Sequence, residues 1–304
     1  MMRRFEAAIV LAILFATPSA LAKDRCLGLF IGDRPIAAEI ENRAKLYETK
    51  PCIILIFSDA KHPVSGYDLS QITSASARPM ITVEPWDAQT KEFLDISDEY
   101  ISSLASAIES VTGQVYIRYA HEMNSNWYPW AGNPKRYLED YKNFHDRLNA
   151  ALPKSNIQWV FSVNNENVPN SNRNSAINYY PGDEYVDFIG IDGYFKAPSR
   201  SYKFYHKVAK FLLRQNLFEY LFASQMESLK ILGKPFLITE TAIAAKPDFK
   251  SESIKDFFES IDPSISAIIW FDIDKEADWR AASDIESLES FKKWTRWWIS
   301  HEKK

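Results

Sequence analysis

The stretch Gln114–Asn124 reads QVYIRYAHEMN. Its first half is rich in β-branched and aromatic residues, which suits a strand. It then runs without a break into His121 and Glu122. Just beyond lie Trp127, Tyr128 and Trp130, followed by Asn133-Pro134. Asparagine can cap the free N–H groups of a helix, and proline fits the first helical position. Tyr137, Tyr141, Phe144 and Leu148 then share one helical face. A second apolar run, Ile157–Val163, completes the unit. Strand, helix, strand is the pattern of a parallel crossover. Its charged residues fall where the first strand finishes.

The same alternation extends both ways. Further strand candidates are Cys26–Gly32, Ile53–Ser58, Pro79–Glu84, Val186–Ile191, Pro235–Thr239 and Ala267–Phe271, with Gln114–Ala120 and Ile157–Val163 making eight. Several are continuous apolar runs, as expected for strands covered on both faces. Tyr100, Leu104 and Ile108 mark a helix capped by Ser97 or Asp98. Phe257, Phe258 and Ile261 mark another, and Leu288, Phe291, Trp294 and Trp298 the last. Residues 199–232 predict two helical pieces. No linker or repeat divides the chain. One (β/α)8 TIM barrel over residues 23–304 is expected, a fold that needs about 250 residues. An open doubly wound sheet would usually carry a glycine-rich first turn, and the nine glycines form no such motif.

The 304 residues are 46% hydrophobic and 25% charged, which excludes wholesale disorder. Lys plus Arg number 36 against 40 Asp plus Glu, a net charge of −4, so no basic excess exists to bind nucleic acid. Residues 1–22 join a basic start (Arg3, Arg4), an apolar run and Ala20-Leu21-Ala22, which reads as a secretory signal peptide. The expected mature protein is secreted or periplasmic, monomeric and without a membrane span. Export permits a disulfide between Cys26 and Cys52, each of which precedes a strand; two free thiols are the alternative.

Chemistry in a barrel sits where the strands finish. The fourth strand leads to Glu122 and the seventh to Glu240, facing each other across the mouth, an arrangement suited to flanking a glycosidic bond. His121-Glu122 is not part of an HExxH motif, and no pair of the five histidines has ligand spacing on a helix, so no metal or other cofactor is expected. No G-x-S-x-G elbow is present. Trp86, Trp127, Tyr128, Trp130, Tyr194 and Trp279 follow strand ends. Such rings offer flat faces to sugars and polar tips to hydroxyls. Glu166, Asp183, Asp192, Asp272, Asp274 and Asp278 crowd the same end as loop structure or hydroxyl acceptors.

RYAHEMNSNWYPW (Arg118–Trp130) resembles the acid/base segment of glycoside hydrolase family 26, which includes many β-1,4-mannanases. MITVEPWD (Met80–Asp87), YYPGDEYVDFIGIDGY (Tyr179–Tyr194), PFLITETA (Pro235–Ala242) and IIWFDIDKEADWR (Ile268–Arg280) match in order along the chain. The resemblance implies a retaining β-glycosidase, with Glu122 as acid/base and Glu240 as nucleophile. It implies substrate-binding roles for His121, Trp127, Arg118, Asp192, Tyr194 and, more loosely, His62, to which the aromatic pattern adds Trp86 and Trp279. The partner is then a polysaccharide or oligosaccharide. Retention implies carboxyl groups about 5–5.5 Å apart. Tyr119, Ala120 and Ser125 depart from the usual mannanase RPLHEMNG. A β-glucan, a xylan or a bacterial exopolysaccharide therefore stays open as substrate, as does a non-catalytic glycan-binding barrel.

Overall fold

A computed structural model describes residues 25–153, 156–197 and 216–301. The expected signal peptide and the first part of 199–232 lie outside them. Eight strands form one closed barrel in chain order: β1 (Cys26–Phe30), β2 (Ile53–Asp59), β3 (Arg78–Glu84), β4 (Val115–Tyr119), β5 (Ile157–Asn164), β6 (Phe188–Lys196), β7 (Phe236–Ala244) and β8 (Ala267–Phe271). Every neighbouring pair is parallel, and β1 closes on β8 from Cys26↔Ala267 to Phe30↔Phe271.

The helices are α1 (Ala37–Tyr47), α2 (Gly66–Ser74), α3 (Asp98–Glu109), α4 (Pro134–Ala151), α5 (Ser224–Leu229), α6 (Pro247–Glu259) and α7 (Ile285–Ser300). Local chemistry sets their starts. Ser97 Oγ accepts from Tyr100 N at 3.1 Å, and Asn133 Oδ1 from Arg136 N at 3.2 Å. Helix α4 buries Tyr137, Tyr141, Phe144 and Leu148, the stripe expected from its spacing. Behind β8, Trp270 packs on Phe291 of α7 with ring centres 4.9 Å apart.

The connection from β5 to β6 is three short 3₁₀ turns rather than a helix among the described residues. Its sequence explains this. Asn165, Asn167, Asn170, Asn172, Asn174 and Asn178, with Pro169, Pro181 and Gly182, favour turns over helix.

Cys26 and Cys52 are joined in a disulfide with Cα atoms 5.8 Å apart, at the strand starts and away from the barrel mouth. Closing this loop stabilises by about 3 kcal/mol in the chain-entropy model. Cys52→Ser is expected to lower the thermal midpoint by about 5 °C or more and to leave sugar binding unchanged. An unmoved midpoint in melting curves with and without reductant would sink this.

Candidate active site

The end of β4 does not continue straight. Ala120 and Glu122 adopt left-handed backbone, φ 48° and 53°, which non-glycine residues seldom occupy. Two hydrogen bonds hold this strained turn: Ala120 N to Val83 O at 2.9 Å and Glu122 N to Ser162 O at 3.0 Å. The turn carries Glu122 into the barrel mouth. There its Oε2 accepts from Trp127 Nε1 at 2.8 Å. Asn124 ties the following loop to β5, accepting from Asn164 N and donating to Asn164 O at 2.8 and 2.9 Å.

Glu240 sits in the middle of β7, opposite Asp192 of β6, where the register of the two strands shifts. Two buried carboxylates side by side repel one another, and Arg118 of β4 lies between them. Its Nη1 donates to both oxygens of Asp192 at 2.9 Å, and its Nη2 donates to Glu240 Oε1. Its Nε donates to Thr82 Oγ1 at 2.8 Å. Asp192 also accepts from Thr239 Oγ1 at 2.6 Å and Ser162 Oγ at 3.1 Å. A Cβ at Gly190 would come within 2.5 Å of Thr239 Oγ1, so only glycine fits beside this network. Glu240 Oε2 accepts from the Tyr194 hydroxyl.

The environments of the two glutamates differ. Glu240 accepts from a guanidinium and a phenol. Burial pushes the Glu122 carboxyl well above the usual range, and the charges of Asp192 and Glu240 push the same way; its Trp127 bond and Arg118 oppose this. Burial works against the charge on Arg118, but Asp192 and Glu240 outweigh it and raise its pKa. Burial pushes Asp192 up to about 7 against the pull of Arg118. Burial also holds His121 well below 6.5, so this ring is neutral near pH 7. The result is one carboxyl whose burial favours its proton, beside one bonded by a guanidinium and a phenol.

Tyr194→Phe removes one of the two donors that orient Glu240. A hydrogen bond to a charged group contributes about 1.5–3 kcal/mol, so kcat is expected to fall roughly 10- to 100-fold with KM little changed. Steady-state kinetics check this, and an unchanged kcat rules the role out.

A cleft of about 1090 Å³ opens over the pair, lined by Glu122, Glu240, Trp127, Tyr194, Trp86 and His62 among others. Trp127 is 49% exposed and offers a free indole face. His62 Nδ1 pairs with Asp59 at 2.9 Å. Four residues expected to bind substrate do not line this cleft. Arg118, His121 and Asp192 are fully buried behind the glutamates, where barrel packing leaves no room for a sugar. Arg118 joins Asp192 to Glu240, and His121 bonds the loop after β4. His121 Nε2 lies 3.0 Å from the Tyr128 hydroxyl, and its carbonyl accepts from Trp130 Nε1 at 2.8 Å. Trp279, only 4% exposed, packs behind Tyr194 with ring centres 5.1 Å apart. Asp272 likewise is structural: it accepts from Tyr47 at 2.7 Å and Ala281 N at 2.8 Å.

Glu84 was missed as a site residue. It ends β3, lines the cleft and is 8% exposed. Burial pushes its carboxyl up to about 7. The rule that singled out Glu122 and Glu240, a glutamate where a strand finishes, applies equally to it. Asp33, Asn164, Asn165 and Lys275 are among the other residues that line the cleft outside the expected set. His121, Asp192 and Glu240 bring one ligand atom each within 4.8 Å of one another, the spacing of a cation site. Arg118 donates to both carboxylates, so the cation's place is already taken by its guanidinium.

Comparison with known proteins places the chain among glycan-cleaving relatives. Endoglucanase H of Acetivibrio thermocellus is 29% identical over 88% of this chain, and the match covers 30% of that protein. A mannan endo-1,4-beta-mannosidase of Bacillus subtilis is 30% identical over 37% of this chain and 35% of its own length. The chain thus spans about a third of these relatives. Among solved structures, the catalytic domain of an endo-beta-1,4-mannanase from Bacillus sp. JAMB-750 superposes with a TM-score of 0.64 at 16% identity, covering 92% of this chain and 87% of that one. The Bacillus subtilis mannanase BCman gives 0.60 at 17% identity, covering 89% and 88%. These likenesses establish the barrel. The model of glycosyl hydrolase family 26 matches residues 68–285, from α2 to the start of α7 and so across both Glu122 and Glu240, and the chain belongs to that family.

Proposed function

We propose that the chain is an endo-acting, retaining glycoside hydrolase of β-linked polysaccharide, mannanase-like in its substrate. The observation that carries this is the asymmetric pair: Glu240 held by Arg118 and Tyr194, and Glu122 facing the same cleft with, among the described residues, only an indole donor. Glu240 attacks the anomeric carbon while Glu122 gives its proton to the leaving oxygen. Water then hydrolyses the glycosyl-enzyme with Glu122 as base. Esterification of Glu240 removes a negative charge that raises Glu122, so the acid becomes a base when the second step needs one. Trp127 and Trp86 stack sugars, and His62 contacts them at the rim.

A β-glucan is the second reading. It is favoured by the length of the match to Endoglucanase H, 88% of this chain, whereas the Bacillus subtilis mannosidase matches 37%. Residues 1–22 are proposed as an export peptide and residues 23–304 as the catalytic barrel. The mass of the exported protein tests that boundary.

Product release from β-1,4-mannan, glucomannan, mixed-linkage β-glucan, xylan and a bacterial exopolysaccharide, followed by mass spectrometry, decides the substrate. Oligosaccharides from one polymer, absent with Glu240→Ala, name it. Binding without products from either protein would make the barrel a glycan-binding module.

A further inference from the structure

The cleft holds a third carboxyl that the two-glutamate mechanism does not use. Glu84 ends β3 in register with Asp59 of β2. Its Oε2 accepts from Trp86 Nε1 at 3.2 Å, and among the described residues no donor reaches Oε1 and no lysine or arginine pairs with it. A carboxyl so buried and so poorly partnered weakens a fold; an amide or an apolar residue would suit packing better. The surroundings nevertheless hold it in place. The Trp86 indole meets Tyr128 and Trp130 edge-on, ring centres 5.5 and 5.4 Å apart, and those two rings stack on each other at 4.3 Å. Lys91 Nζ covers the Trp86 ring at 4.2 Å. The indole N–H is therefore aimed, and through it so is the carboxyl. Glu240, Arg118 and Asp33 are the charged groups that face it.

We propose that Glu84 is a substrate-binding residue, its free oxygen accepting a hydrogen bond from a ring hydroxyl of a sugar in the cleft, with Trp86 as its positioning residue. This rests on the glycosidase reading and adds a polar anchor to it. A carboxyl oxygen that packing leaves without a donor is satisfied when a hydroxyl arrives, and binding energy gained this way is specific for a sugar carrying a free hydroxyl at that position.

The test measures binding in a Glu240→Gln background, which keeps the site's shape but stops turnover. The probes are soluble glucomannan, mixed-linkage β-glucan and arabinoxylan, titrated calorimetrically. Adding Glu84→Ala is expected to weaken binding of the recognised glycan at least about tenfold, and Glu84→Gln about three- to tenfold. Trp86→Phe, which keeps a ring but deletes the donor, is expected to fall between no effect and Glu84→Ala. In the active enzyme, Glu84→Gln raises KM with kcat within about threefold. Glu84→Gln removes a buried charge without changing volume, so it is expected to melt no lower than its parent. Affinity within twofold for both Glu84 variants, or a lowered melting point with unchanged affinity, overturns the proposal and makes Glu84 structural. If Glu240→Gln binds none of the polymers of the product-release panel and the unsubstituted protein cuts none, the glycosidase reading falls and takes this proposal with it.

Discussion

Glu240→Ala is expected to lower kcat by about four orders of magnitude or more, since groups that act as one catalytic unit fail together. The loss should be reversible by a small anion. Removing this side chain leaves a hole faced by the Arg118 guanidinium and the Tyr194 hydroxyl, which together donate to Glu240. Azide fits there and can attack the anomeric carbon from the face the carboxylate would have used. The new bond is C1–N, the broken one is C1 to the leaving oxygen, and Glu122 supplies that oxygen's proton. From a β-linked substrate the product is an α-glycosyl azide, distinguishable by the one-bond carbon–proton coupling at C1. A β-azide, or a rate within tenfold of the unsubstituted protein, would place the nucleophile elsewhere.

Much of this site was legible in the chain because strands announce themselves by apolar runs and caps by residue type. The reading faltered where charge interrupts a strand. Residues Val186–Ile191 and Pro235–Thr239 were expected as strands, yet β6 runs to Lys196 and β7 to Ala244. Asp192 and Glu240 look like strand ends only if no partner neutralises them, and Arg118 arrives from β4, over seventy positions away from either. Likewise Glu122 was placed at the end of β4, whereas the strand stops at Tyr119 and two left-handed residues turn the chain first. Residue type gives no warning of a left-handed alanine or glutamate. Trp279 shows the opposite gap. An aromatic after a strand end can face the cleft or back another ring, and only packing against Tyr194 decides which.

Glu122→Gln should separate the two chemical steps. On a polysaccharide the leaving group is a sugar alkoxide, which needs the proton, and kcat is expected to fall about 10²- to 10⁴-fold. On a dinitrophenyl β-glycoside of the same sugar the leaving phenolate needs none, so the first step stays fast. The second step then lags for want of a base, and the glycosyl-enzyme accumulates. The expected signs are a burst of phenolate and a protein mass increased by one glycosyl unit on Glu240. Azide should speed turnover here also, but through attack on that ester, giving the β-azide. The pH profile carries the same information. Burial and the neighbouring charges of Asp192 and Glu240 raise Glu122, so the unsubstituted enzyme loses activity as pH climbs through that raised value. Glu122→Gln has no proton to lose there, and its alkaline limb should vanish. Equal losses on both substrates with no adduct would remove Glu122 from the role. The contrast depends on one asymmetry in the barrel: the guanidinium of Arg118 bonds Glu240 and Asp192, and leaves Glu122 with an indole.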